Sequence, residues 1–519
     1  MVRLGLVWLY VLGVGVYTWK DWYGGLCGLI LLVAVIQHPD MPKSIAGIQG
    51  LNPWNILFVC VVCSWLKNRK VEHLTWDMPS HVTWLLLAYL SVVAVGTGRL
   101  LADHSAVSPT LTPLISEQVV NTIKWPIVGI LLFSGCRSRL RFTTALTVIL
   151  AVYFLIGLQV IRWMPFSEIA NAGDDLAARS LKILSNEVGY HRVNLSMMLA
   201  GAFWAMWVVS HTRIAWLSPW LLTVVSLITF YAQALTAGRM GYVTWVVLGF
   251  FLSVIRWRKY LIAAPVLIPL IIFIVVTVTP GVAERLLQGF TKESVDTARP
   301  VDRQGKALAV AQDGPDTYTV TAGRTFAWSF VIAKIKEAPI VGYGREAMER
   351  TGLKAFLWNT YRESFPHPHN AYLELLLDNG VIGFCLVLPF YLVMLKHGVT
   401  LFRDSRSPIF IVAGGVACAL ILALLVASWG SQTFYPREGS VGMWCAIGLL
   451  LRVYVERKRV LLAYRHLTTG GTQGALPEAQ KSPESSLQRR PGALLQPRNK
   501  RDKDLNADVI DSMLWAPVA

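Results

Sequence analysis

Charge is what this chain has least of. Only 15% of its 519 residues are Asp, Glu, Lys or Arg while 54% are hydrophobic, and soluble domains usually carry about 25% charged residues. A water-soluble globular class is therefore excluded. With a mean hydropathy of +0.49, the composition is that of a polytopic integral membrane protein. Cysteine is also scarce. The seven residues Cys27, Cys60, Cys63, Cys136, Cys385, Cys418 and Cys445 lie in or beside apolar runs. None falls in the longest polar loop, so no disulfide framework follows. Cys60-x-x-Cys63 sits inside an apolar segment, where redox or metal chemistry lacks the accessible thiolates and further partners it needs. There is no Walker A loop, no Rossmann glycine pattern after a strand, no H-E-x-x-H and no G-x-S-x-G, which removes the common signatures of nucleotide, zinc-protease and serine-hydrolase chemistry. Asp174-Asp175 is the one acidic pair resembling a metal site, and two adjacent acids in a loop are commonplace. No metal and no cofactor is assigned.

Acidic residues are outnumbered, 31 against 48 Lys and Arg, giving a formal net charge of +17. In a soluble protein this excess would suit nucleic acid. Here much of it lies in short loops between apolar runs, so topology explains it and no nucleic-acid partner is implied. Apolar runs occupy residues 4–18, 23–37, 52–66, 81–101, 117–135, 141–162, 191–210, 214–236, 240–256, 260–279, 380–396, 408–428 and 440–455. The first two are short and read as two tilted crossings or as one crossing and a re-entrant piece. The expected fold is thus all-α, with 12 or 13 transmembrane helices. Residues 4–18 lack a small-residue cleavage site and read as a membrane segment rather than a cleavable signal. Many of the 20 tryptophans lie near run ends, Trp54, Trp84, Trp163, Trp216, Trp220 and Trp429 among them, as interfacial anchors do.

The basic loops alternate. Lys67-Asn68-Arg69-Lys70, Arg137 to Arg141, His211 with Arg213, Arg256 to Lys259, Lys396 to Arg406 and Arg457-Lys458-Arg459 all fall on one side. The positive-inside rule makes that side cytoplasmic. The other loops, 102–116, 163–190, 237–239, 280–379 and 429–439, are then extracytoplasmic. Four regions follow: membrane helices in 1–279, a large extracytoplasmic loop over 280–379, further membrane helices in 380–455, and a basic cytoplasmic tail over 456–519. The tail is read as disordered, because 468–507 is rich in Gly, Pro, Gln, Ser and Arg. The large loop balances twelve Lys and Arg against twelve Asp and Glu, so it is not a basic patch. Within it, Arg324 to Ala338 reads as an amphipathic helix with Phe326, Phe330, Ile332 and Ile335 as its apolar stripe, stopped by Pro339. A long loop with helices of its own is usually functional.

Four basic side chains on the extracytoplasmic side are candidates for chemistry. His369, in Pro366-His367-Pro368-His369-Asn370-Ala371-Tyr372, precedes a helix that Asn370 can cap. A helix N-terminus disfavours imidazolium and favours anions, so the ring is available as a neutral base near pH 7. A surface histidine beside a cap would look the same. Arg239 sits in the tiny loop Thr236-Ala237-Gly238-Arg239, where its planar fork suits phosphate and snorkelling to lipid headgroups is the plainer alternative. Arg324 opens the loop helix, an unusual place for a cation, though a solvated helix start would also tolerate it. Arg192, in Tyr190-His191-Arg192-Val193-Asn194, begins the seventh apolar run on the same side.

Three stretches in this order resemble the O-antigen ligase and Wzy-type polymerase superfamily of bacterial envelope glycosyltransferases. They are Leu235-Thr236-Ala237-Gly238-Arg239; Gly323-Arg324 with Trp328 and then Ala338-Pro339-Ile340-Val341-Gly342-Tyr343-Gly344; and His369-Asn370-Ala371-Tyr372-Leu373 with Asn379-Gly380-Val381-Ile382-Gly383. The resemblance spans 235–384. It implies a metal-independent GT-C-type transferase in the bacterial inner membrane, with its active site facing the periplasm. The donor would be a glycan on undecaprenyl diphosphate, and the acceptor a lipid A-core sugar, another lipid-linked glycan, or a protein in related O-oligosaccharyltransferases. His369, Arg239 and Arg324 would be catalytic, and Arg192, Asn370, Tyr372 and His367 would contact substrate. His367 is an extra histidine; His369 is favoured because it directly precedes Asn-x-Tyr. A transporter of lipid-linked sugars is the alternative of another class. It predicts mid-membrane charges and internal repeats, and apart from Lys124 few such charges and no obvious repeat are present. A scaffold protein would not need the Arg and His set.

Overall fold

A computed structural model describes residues 2–45, 47–108, 110–165, 176–214, 216–278, 323–430, 433–470 and 514–515. Among these, α-helix dominates and the only paired strands are the two-residue hairpin Ser44–Ile45 and Ile48–Gln49. In chain order the helices are α1 (Val2–Thr18), α2 (Trp22–Leu31), α3 (Pro53–Asn68), α4 (Ser80–Ala102), α5 (Asn121–Gly135), α6 (Arg139–Trp163), α7 (Leu176–Glu187), α8 (Arg192–Ser210), α9 (Pro219–Leu235), α10 (Arg239–Ile255), α11 (Arg258–Val278), α12 (Arg324–Glu337), α13 (Ala347–Arg350), α14 (Leu353–Tyr361), α15 (Ala371–Phe402), α16 (Pro408–Ala427) and α17 (Val441–Gly470). Each predicted apolar run coincides with one of them. The first two runs form two separate helices, α1 and α2.

Helix starts follow local chemistry. Asn52 Oδ1 accepts from Asn55 N at 2.9 Å ahead of Pro53, and Ser138 Oγ accepts from Arg141 N at 3.2 Å, so orphan N–H groups at these ends are satisfied. Among the described residues, six helical stretches are long and apolar enough to cross a membrane: Ser80–Ala102, Arg139–Trp163, Arg192–Ser210, Ala371–Phe402, Pro408–Ala427 and Glu438–Ala463. Shorter apolar helices accompany them at Arg3–Thr18, Trp22–Ala34, Pro219–Leu235 and Arg239–Ile255. The chain is an all-α, multi-pass membrane protein.

Helix α8 is the centre of the bundle, packed by α9, α10 and α16. Its apolar stretch is 89% buried, whereas that of α4 is 39% buried and faces outward. Small residues permit the close approach: Gly201 of α8 lies on Ala423 of α16, Gly241 of α10 on Ser196, and Gly249 on Trp204. The loops carrying the basic residues gather at one end and bind one another there. Arg141 pairs with Glu72 at 2.7 Å, Arg452 with Asp77 at 2.7 Å and Arg457 with Asp404 at 2.7 Å. Residues 236–239, 323–370 and 433–440 connect helices at the opposite end.

Two sequence expectations change. The apolar run predicted to begin at residue 380 starts earlier, because the helix capped by Asn370 and the run beyond it form one element, α15, kinked at Gly380 (φ 62°, ψ −167°). The kink frees backbone groups, and segment 339–344 satisfies them. Val381 N donates to Pro339 O at 2.9 Å and Ile382 N to Ile340 O at 3.2 Å; Tyr343 N donates to Leu377 O at 2.9 Å and Gly344 N to Asp378 O at 2.6 Å. A Cβ on Gly380 would strike Ile340 O, and one on Gly342 would strike the backbone of Leu377 and Asp378. The two glycine-bearing stretches singled out in the sequence are halves of one backbone lock. The tail also begins later than residue 456. Helix α17 continues to Gly470, supported by Glu456, which accepts from Arg452 and Arg459 at 3.2 and 2.9 Å. Leu514 is fully buried and Trp515 packs against the core. The rest of the predicted tail, residues 280–322 of the predicted large loop, and Asp174-Asp175 lie outside the described residues.

Candidate active site

The site is built from three backbone turns that hold side chains in unusual places. The first joins α9 to α10. Ala237 has φ +53°, in the left-handed region that costs a non-glycine residue, and the turn is fastened to the start of α8. Arg192 Nη1 donates to Ala237 O at 3.0 Å and Ser196 Oγ to Gly238 O at 3.0 Å. Arg239, the first residue of α10, is therefore placed through its neighbours, directly beside the turn that Arg192 grips.

The second turn opens α12. Gly323 has φ +74° and launches the helix with Arg324 half-buried at its first position. Burial holds the Arg324 guanidinium below its ordinary value. Of the predicted apolar stripe, Phe326, Phe330 and Ile335 pack inward, whereas Ile332 is exposed. Phe326 and Phe330 pack edge-on at 5.2 Å, and Phe326 lies 5.0 Å from Tyr361 of α14. Ala327 and Val331 are fully buried beneath them. On the other side of the helix, Trp328 Nε1 donates to Pro368 O at 2.9 Å. The tryptophan thus ties Arg324's helix to the histidine loop.

The third turn is that loop. His369 has φ +53°, and Asn370 caps α15 as expected, its Oδ1 accepting from Tyr372 N at 3.0 Å and Leu373 N at 3.2 Å. His369 N donates to Nδ1 of His367 at 3.3 Å, and the two rings lie 4.1 Å apart. Accepting at Nδ1 leaves the proton of a neutral His367 on Nε2. Both rings are held neutral. Desolvation brings His369 down to about 3, assisted by His367, Arg324 and His191. Desolvation brings His367 to about 4, with Arg437 and Arg324 lowering it further and Glu346 opposing them. His191 is lowered by desolvation, Arg192, Arg324 and His367. These mutual effects define one cluster: three histidines with Arg192 and Arg324 around them, and Arg437 beyond His367.

The cluster includes His191 and Arg437, which the sequence reading did not single out. His191 was visible as the neighbour of Arg192; nothing local marks Arg437. Tyr372 turns elsewhere: its hydroxyl donates to Leu425 O at 2.8 Å, and its ring packs 5.0 Å from Phe434, so it fastens α15 to α16. Asn370 is likewise engaged by backbone. A second polar network was missed as well. Arg345, only 4% exposed, donates to Gln118 O at 3.0 Å and Thr122 Oγ1 at 3.1 Å and stacks 4.4 Å over the Tyr435 ring. Tyr435 Oη donates to Asp378 Oδ2 at 2.8 Å and accepts from Asn379 Nδ2 at 2.6 Å. This network anchors the kink of α15 to α5 and to the 433–440 loop.

Among the described residues, no three His, Cys, Asp or Glu side chains converge in a way that could hold a metal ion. Arginine forks beside neutral imidazoles suit an anion and a hydroxyl instead: the arginines take oxygens in pairs, and an imidazole nitrogen accepts a proton. Residues 224–388 match the family model described as O-antigen ligase, which bears out the resemblance carried by the three stretches. The matched span contains Arg239, Arg324, His367 and His369. No curated protein matches the chain.

Proposed function

With residues 224–388 matching the O-antigen ligase family, whose members are glycosyltransferase-like enzymes, we propose that this protein moves a glycan from undecaprenyl diphosphate to an acceptor hydroxyl at the periplasmic face of the bacterial inner membrane. The observation that carries the reading is the cluster in which Arg324, Arg192, His191, His367 and His369 act on one another, next to the turn that bears Arg239. A lipid-linked diphosphate presents an anion at the membrane border, where this cluster lies at the ends of apolar helices.

In the proposed step the acceptor oxygen bonds to the anomeric carbon of the donor sugar. The bond from that carbon to the diphosphate oxygen breaks, and its electron pair leaves on the diphosphate. Arg324 and Arg239 stabilise the charge that develops there, the larger part of such catalysis, and Arg192 steadies the turn that carries Arg239. The acceptor proton passes to His369. Without substrate, His369 near 3 is a weak base. A bound diphosphate adds negative charge beside it, which favours the protonated form and raises its basicity when the donor is present. His367 orients the His369 backbone through Nδ1.

Ligase and polymerase use the same chemistry and differ in acceptor. A deletion strain separates them: loss of all glycan on lipid A-core indicates a ligase, and a single remaining repeat unit a polymerase. Unchanged lipid A-core with loss of glycan from a protein indicates an O-oligosaccharyltransferase. Normal transfer by both His369→Ala and Arg239→Ala would sink the reading.

A further inference from the structure

A cavity of about 440 Å³ lies at the same end of the bundle, between the Met41–Asn52 hairpin region, the start of α5 and the Pro436–Glu438 loop. None of the residues assigned to the transfer step lines it. Four basic residues, Lys43, Lys124, Arg345 and Arg437, face two acidic ones, Glu117 and Glu438, with amides and hydroxyls between them. Two of the cations are engaged by the protein itself. Lys124 Nζ donates to Asn55 Oδ1 at 2.9 Å and sits 4.4 Å from the centre of the Trp125 ring, while Arg345 is held by the network described above. Lys43, on the hairpin, and Arg437 are exposed. Two buried polar atoms on the wall, Gln118 Oε1 and Trp125 Nε1, have no hydrogen-bond partner among the described residues. Gln118 is only 7% exposed, so leaving its carbonyl unsatisfied is costly unless something enters to bond it.

We propose that this cavity seats the acceptor glycan, and that it selects a sugar segment bearing an anionic group, a carboxylate or a phosphate. Its size is that of a small-molecule site. Its lining offers sugars both donors and acceptors, and over the whole wall its four cations outnumber its two acids. Arg437 connects it to the histidines, since it lines the cavity and its charge also acts on His367. The inference rests on the transferase reading for the word acceptor; the cavity's preference for an anionic sugar stands on the lining alone.

The test uses the full-length protein in lipid nanodiscs, with trigalacturonate as anionic probe and maltotriose as neutral probe, read by saturation-transfer NMR and by competition in a transfer assay. Trigalacturonate is expected to bind the more tightly. Arg437→Ala should weaken it about tenfold or more and raise acceptor KM with little change in kcat. Ser44→Glu, an exposed hairpin substitution that places a carboxylate at the rim, should weaken it, and Ser44→Lys should strengthen it. His369→Ala should leave probe binding intact while transfer stops. Equal binding of the two probes, no binding of either, or indifference to both Ser44 charges would overturn the proposal, as would displacement of trigalacturonate by undecaprenyl diphosphate. Probe binding by a wild-type protein that transfers no glycan would reject the reaction and leave the cavity's selectivity standing.

Discussion

Two clusters at opposite ends of the bundle use the same residue types differently. At the basic end, arginines are spent on carboxylates. Asp77 receives Arg452, Arg137 and Arg459 at 2.7, 3.0 and 2.6 Å, and Asp404 receives Arg406 and Arg457 at 2.6 and 2.7 Å. At the candidate active site, the charges acting on the three histidines are mostly those of arginines, opposed by Glu346 on His367 alone. Paired charge braces helix ends. Positive charge gathered beside imidazoles disfavours their protonation, and under the proposed function an anionic donor offsets it. The difference teaches which arginines to suspect of function: those whose charge bears on the histidines.

The strongest way to break this contrast is at His369. His369→Ala should lower transfer about 10²–10⁴-fold, the usual worth of a positioned base, with membrane-inserted protein unchanged on immunoblots of washed membranes. At the opposite end, Asp77→Ala should do the reverse. It removes the closer of the two carboxylates that the fully buried Arg452 binds, leaving Glu456, so the loss should lie toward the lower end of the range of about 3–5 kcal/mol for a broken buried pair. Thermal unfolding in detergent should show the drop, while turnover per folded molecule stays near wild type. Arg324→Ala should cost about 10²–10³-fold in kcat, as for loss of one charge-stabilising donor, with Lys restoring part of it; a change confined to donor KM would instead make Arg324 a binding residue.

Two pH measurements sharpen the comparison with smaller effects. His369 and His367, at about 3 and about 4 without ligand, stay neutral through the physiological range. The acid limb of kcat/KM, which reports the free enzyme, should therefore lie below that of an ordinary histidine. The limb of kcat should lie higher, because bound diphosphate raises the pKa. Coincident limbs near 6.5 would remove His369 as the base. For Asp77, burial pushes the carboxyl up, but hydrogen bonds and charge from Arg452 and Arg137 bring it to about 2. A depressed folded-state pKa contributes stability above the unfolded value and loses it as pH falls through the folded one. Through Asp77, unfolding temperature should therefore not vary with pH near neutrality and should fall only from about pH 4 downward, a slope that Asp77→Asn removes.

Much of the fold was legible because membrane helices announce themselves locally. Each of the thirteen apolar runs became a helix, and Asn370, Pro53 and Ser138 mark their starts by chemistry that involves neighbours only a few residues away. The α12 stripe of Phe326 and Phe330 was legible for the same reason. The kink at Gly380 was not, since its cause is a segment some forty residues upstream whose carbonyls and amides replace the lost helical bonds. Tyr372 was misleading: its place in a motif suggested substrate, and its hydroxyl instead binds the backbone of α16. Arg437 carried no local signal, since its relation to His367 exists only after α15 and α16 return the chain to the site.

The sequence by itself determined the membrane class, the helical segments, the clustering of basic loops on one side and the order of the three stretches that resemble a glycan transferase, because hydropathy, periodicity and capping are properties of short windows. The tertiary structure decided which of several plausible arginines and histidines act on each other, that two glycines interlock across a kink, and that Arg437, whose charge acts on His367, lines a polar cavity. Those facts depend on side chains meeting across separations as long as the 248 residues between Arg345 and Thr97. Electrostatic influence falls with distance in space, not along the chain.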